Sequence, residues 1–127
     1  MINDYGAEEL QRMVNGMIDA MLFAEVDDSG DPLDDTYYYN DVSDEALQEI
    51  TEECQDFLNL LQQEGIEWSK DIEPEELGAD FYFTRAGHGT GFWSQNYPTA
   101  QALDTWAKTF GNIGLYGGDD GILYTHN

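Results

Sequence analysis

The stretch Asp80–Trp93, reading Asp-Phe-Tyr-Phe-Thr-Arg-Ala-Gly-His-Gly-Thr-Gly-Phe-Trp, is the densest apolar and aromatic run in the chain, with no acidic residue after Asp80. The run also divides the charge. Residues 1–80 carry 24 of the 27 Asp and Glu against Arg12 and Lys70. Residues 81–127 carry Asp104, Asp119 and Asp120 against Arg85 and Lys108. The net is therefore −22 over residues 1–80 and −1 over residues 81–127, −23 in all. At 127 residues the chain suits a single domain, with an acidic helical part over 1–80 and a sheet-and-helix part over 81–127.

Hydrophobic periodicity predicts a helix over Asp4–Ala24, where Leu10, Val14, Met17, Met21 and Ala24 recur at spacings of three and four. Asn3 or Asp4 can cap it, and Gly16 weakens it slightly. A second helix over Ser43–Gln63 places Leu47, Ile50, Cys54, Phe57 or Leu58, and Leu61 on one stripe. Glu45, Glu49, Glu52, Glu53 and Asp56 fall on the opposite face. A solvated helix face normally mixes both signs, and this one has no basic residue. Pro74 followed by Glu75 and Glu76 suits a short helix ending at Gly78, or an irregular connector, with Trp68 as its anchor in the core.

Phe81–Thr84 has strand propensity, Phe92-Trp93 starts a second strand, and Ala86–Gly91 reads as the tip of a hairpin. A third helix over Thr99–Phe110 is followed by a second hairpin, Ile113–Tyr116 with Ile122–Thr125 about the turn Gly117–Gly121. The fold expected is α+β: N-terminal acidic helices packed on a small antiparallel sheet, with a ββαββ C-terminal half.

Two stretches raise the question of a ligand. Asp27, Asp28, Asp31, Asp34 and Asp35 crowd one loop, but an EF-hand needs alternate ligands, a Gly, and a Glu six residues beyond it, which the loop lacks. No metal site is expected. Gly87, Gly89 and Gly91 could form a backbone-amide concavity for an anion, with Arg85 and His88 beside it. No nucleophile–base–orienter set accompanies them, so a structural hairpin is the first reading and a ligand site the alternative. Neither catalysis nor a cofactor is expected.

Composition narrows the class of partner. An apolar fraction of 41% with 13% aromatics argues for a folded chain. Met13–Val26, the longest apolar stretch, is too short for a membrane span and is broken by Asp19 and Glu25. No basic n-region marks a signal peptide, and the lone Cys54 fits a reducing compartment, so a cytoplasmic protein is expected. A charge of −23 repels nucleic acid and anionic membranes, and it far exceeds the ~2–8 units that solubility needs. The partner expected is a basic protein surface, including the nucleic-acid-binding faces of other proteins.

Pro32-Leu33-Asp34-Asp35 before a Tyr-rich loop, the helix Asp44–Leu61, and the string Thr84-Arg85-x-Gly87-His88-Gly89-x-Gly91-Phe92-Trp93 with a final Tyr116–Tyr124 hairpin carry a resemblance. Over roughly residues 30–125 the chain is similar to a widespread family of small acidic proteins from tailed phages and prophages. The versions associated with it carry Asn where Ala86 stands and Asp where Ser94 stands. The resemblance implies a phage context, in which small acidic proteins often inhibit restriction or CRISPR systems by resembling DNA's charge. The function expected is therefore a DNA mimic acting in a host cell. Its five helix acids would stand in for phosphates, helped by the five loop aspartates. A small enzyme or anion-binding protein using Arg85 and His88, and an acidic phage adaptor, are the alternatives.

Overall fold

A computed structural model describes residues 6–87 and 89–126. In chain order these form helix α1 (Ala7–Ala24), 3₁₀ turns at Leu33–Asp35 and Tyr39–Asp41, and helix α2 (Asp44–Gln63). Helix α3 (Pro74–Ala86), a 3₁₀ turn at Phe92–Ser94, helix α4 (Ala100–Lys108) and strands β1 (Gly114–Gly117) and β2 (Leu123–His126) follow. The fold is mixed α+β. Among the described residues the two strands make the only sheet, an antiparallel pair in which Tyr116 faces Tyr124 and Gly117 faces Leu123.

Helix α2 starts where the sequence places it, with the Ser43 hydroxyl accepting the Ala46 N–H at 3.0 Å. Helix α1 begins after Gly6, and Glu8 and Glu9 occupy its first turn, at the positive end of the helix dipole. The expected caps Asn3 and Asp4 lie outside the described residues.

The expected first hairpin does not form. Phe81–Thr84 belongs to α3, which runs through Gly78 to Ala86, and Phe92–Ser94 is a 3₁₀ turn rather than a strand. The C-terminal half is thus helix, helix, hairpin rather than ββαββ. The reason lies in spacing: Pro74, Leu77, Gly78, Phe81, Tyr82 and Arg85 are all buried, and they recur at the three-and-four interval of a helix face. Two of those positions are glycine and arginine, which hides the stripe from a hydrophobicity count. The N-terminus is fixed by Pro74 at the first helical position and by Glu76 accepting the Glu73 N–H. Gly87, in the left-handed conformation, ends the helix, so the glycine-rich string starts as a helix stop.

Helices α1 and α3 form the tightest pairing in the fold. A Cβ on Gly16 would lie 2.1 Å from the Glu75 carbonyl oxygen, and one on Gly78 would lie 2.0 Å from that of Met13. The two glycines let the backbones touch. Arg12 of α1 grips the start of α3, donating to Glu73 and Glu75 at 2.8 Å. At the far end the Tyr82 hydroxyl donates to the Glu25 carboxylate.

Beneath this pair an aromatic core joins α2 and α3. Phe57 and Phe81 stack with centroids 4.3 Å apart, and Phe110 meets both edge-on. Trp68 is buried and anchors the 64–73 connector, as its position in the sequence suggests. The hairpin closes the core from one side with Leu115 and Leu123, and the Ser43 N–H donates to the Leu123 carbonyl at 2.9 Å. No helix among the described residues is long and apolar enough to cross a membrane.

Candidate acidic interaction surface

The acids of α2 separate into two groups. Glu45, Glu52 and Asp56 are exposed. Glu49 and Glu53, one turn apart, lie on the flank that meets the rest of the fold and are half-buried. Glu49 accepts the Thr125 hydroxyl of β2 at 2.9 Å. Glu53 accepts from Arg85 at 2.5 Å. Sequence spacing puts all five on one side but does not show which edge of that side is covered.

Arg85 does not face solvent. Its side chain is 1% exposed, its Nε donates to the Gly111 carbonyl at 2.7 Å, and its guanidinium lies 4.7 Å from the Phe81 ring centroid. One residue thereby ties α3 to α2 and to the end of α4. A buried guanidinium is tolerated only when paired and hydrogen-bonded, and Glu53 supplies the charge. The expected partnership of Arg85 with His88 at a hairpin tip is replaced, on the Arg85 side, by this clamp. His88 lies outside the described residues.

The loop acids are ordered by their own backbone. The Asp27 carboxylate accepts the N–H groups of Ser29 and Asp31 at 2.8 and 3.0 Å, closing a turn that Val26 and Pro32 bridge. Asp28, Asp31, Asp34 and Asp35 point outward from it, all exposed. No group of three His, Cys, Asp or Glu among the described residues is arranged to hold a metal ion. Between the loop and α2 lies the hairpin. Its outward face carries Tyr116, Tyr124 and His126, and Tyr124 donates to Asp120 at 2.5 Å. The sequence places Tyr116 and Tyr124 in the final hairpin, and their opposition across the turn is the signal that sets both on one face.

Two further ionisable groups sit in the interior. Burial pushes the Cys54 thiol up to about 12, against a smaller opposing pull from Arg85, and its Sγ lies 3.6 Å from Met17 Sδ. It is core packing, not a nucleophile. Burial likewise raises the Asp80 carboxyl, with Glu76 adding to the effect and the Gln95 amide, donating at 3.0 Å, opposing it. Because the folded value is above the unfolded one, the stability linked to Asp80 is fully present below the ordinary Asp range. It is lost as pH rises through the raised value. Asp80→Asn keeps an oxygen for Gln95 and is expected to raise the Tm near neutral pH but not at a pH below the ordinary Asp range. Thermal melts of both proteins at the two pH values check this; an equal gain at both would mean that charge is not the cause.

Comparison with protein-family models, with curated proteins and with solved structures gives no match for this chain.

Proposed function

We propose that the chain is a DNA mimic that binds the basic nucleic-acid-binding face of a host protein, in the manner of anti-restriction and anti-CRISPR proteins, and inhibits it by competitive occlusion. The observation that carries this reading is the use of the cations. All four Lys and Arg are engaged: Arg12 with Glu73 and Glu75, Lys70 with Glu67, Arg85 with Glu53, and Lys108 with Asp104. Glu45, Glu49, Glu52 and Asp56 make no ion pair among the described residues. These four span about 16 Å of helix at 1.5 Å per residue. Their mean axial spacing of roughly 5 Å supplies about two charges for every three phosphates of one DNA strand, given ~3.4 Å per phosphate. A like-charged row of this kind opposes folding by a few tenths of a kcal/mol per i,i+4 pair, a penalty that binding to a cationic groove would reverse. Resemblance to small acidic phage proteins supports a phage context, with the cytoplasm of the host as the place of action.

The test uses the intact protein immobilised against host lysate. A basic nucleic-acid-binding protein should be retained at low salt, released at high salt, and displaced by duplex DNA. A variant carrying Glu45→Gln, Glu49→Gln, Glu52→Gln and Asp56→Asn should retain it at least about tenfold less well, which corresponds to 1.4 kcal/mol, with an unchanged or raised Tm. A partner indifferent to salt, to DNA and to the four substitutions would favour an acidic adaptor instead.

A further inference from the structure

The outward face of the hairpin is open around Tyr116, with Glu25 lying against its Gly114 end, and it borders a cleft. Tyr116 is 49% exposed, with its ring 5.8 Å from Tyr124 and 6.0 Å from His126. The opposite face of the ribbon is spent on the core through Leu115 and Leu123. Beside Tyr116 a cleft of about 460 Å³ separates β1 from the 26–29 turn, and Asp27, Asp28, Tyr37 and Asp119 also line it. A Cβ on Gly117 would lie 2.1 Å from the Tyr37 hydroxyl oxygen, so the absence of a side chain there lets Tyr37 press against β1 from the core side, the face that Gly117 shares with Leu115 and Leu123.

We propose that this hairpin face is the contact centre for an arginine-bearing segment of a basic protein partner, with a guanidinium seated between the Tyr116 ring and the carboxylates of Asp28 and Asp119. Charge complementarity selects the occupant. The protein's own four Lys and Arg are engaged elsewhere, so none of them offers these exposed carboxylates a counter-charge and the face is left complementary to a cationic partner. An apolar occupant would desolvate them without compensation. Among cations, guanidinium is planar, weakly hydrated, stacks on aromatic faces and presents paired N–H donors to carboxylates. An ammonium group offers neither the stacking plane nor the fork. Exposed Tyr116 supplies a ring at low ordering cost, as aromatic residues do at the centres of interfaces. The inference rests on the basic-partner part of the DNA-mimic reading, and not on the α2 row.

Titrating the isotopically labelled full chain with hexa-arginine and, separately, hexa-lysine tests it by amide shift mapping. Shifts should centre on Tyr116–Asp119 and on Asp27–Ser29, with hexa-arginine binding about fivefold more tightly, as expected of an exposed cation–π contact. Tyr116→Ala should abolish the preference for arginine while leaving hexa-lysine affinity unchanged. Tyr116→Leu, which keeps apolar area for folding, should do the same. Asp28→Asn with Asp119→Asn should weaken both peptides. Equal affinities with shifts centred on α2, or an arginine preference that survives both Tyr116 variants, would overturn the proposal. An arginine preference at the hairpin with no DNA-displaceable partner in lysate would sustain it while removing the DNA-mimic reading.

Discussion

Gly78→Ala is expected to destabilise the protein by at least about 3 kcal/mol, the upper range for overpacking a tight interior. For a chain of this size that is a fall of roughly 10 °C or more in Tm. Helix propensity alone gives the opposite sign, since alanine is favoured over glycine in a helix interior by ~1 kcal/mol. The sign is decided by α1. The new methyl group would sit 2.0 Å from the Met13 carbonyl oxygen, and backbone on both sides leaves neither helix free to yield without moving the whole crossing. Gly16→Ala meets the Glu75 backbone at 2.1 Å and should behave alike. Gly89→Ala, where an added Cβ meets nothing, should stay within about 0.5 kcal/mol. Thermal unfolding followed by circular dichroism compares the three, and a stabilised Gly78→Ala protein would mean that the helices do not cross at these glycines.

The same glycines explain what could be read from sequence. Helices α1, α2 and α4 and the final hairpin were legible because their buried faces consist of ordinary apolar residues at regular intervals. Examples are Val14, Met17 and Met21 in α1, and Ile50, Cys54, Phe57 and Leu61 in α2. Helix α3 was not legible, because its buried face includes Gly78, chosen for closeness to α1, and Arg85, chosen for its reach to Glu53 and Gly111. Read one residue at a time, Phe81-Tyr82-Phe83-Thr84 has the composition of a strand. Only its register with Leu77 and Gly78 shows a helix. Tertiary contact overrode local propensity, and the glycine-rich string that looked like a hairpin tip begins instead as the stop of that helix.

The acidic surface was legible in part for a related reason. Helical spacing gathers Glu45, Glu49, Glu52, Glu53 and Asp56 on one side, but the edge of that side toward β2 and α3 is decided by packing. Glu49 and Glu53 fall on that edge. The hairpin face between α2 and the Asp27–Asp35 loop depends on which residues oppose one another across the turn. That register places Tyr116 beside Tyr124 and turns both away from the core.

Arg85→Met is expected to cost about 3–5 kcal/mol, the range for breaking a buried ion pair from one side. It leaves the Glu53 carboxylate, 24% exposed, without its cation, and it removes the donor to the Gly111 carbonyl. Most of that penalty belongs to the abandoned charge rather than to the lost attraction. Arg85→Met combined with Glu53→Met should therefore recover a large part of it, by burying apolar area where two desolvated charges had been. A double-mutant cycle of thermal or denaturant unfolding measures the coupling, and additive effects would show that Arg85 and Glu53 do not act as a unit. The cycle also separates structure from recognition within a single turn of α2. Glu53→Gln should lower stability while leaving the affinity of the folded protein for a basic partner nearly unchanged, because that carboxylate is already neutralised by Arg85. Glu52→Gln, its exposed neighbour, should leave stability within about 0.5 kcal/mol and weaken binding. If the two substitutions weaken binding equally, the partner reaches the clamp itself, and the distinction between Glu53, neutralised within the fold, and the acids of α2 that make no ion pair fails.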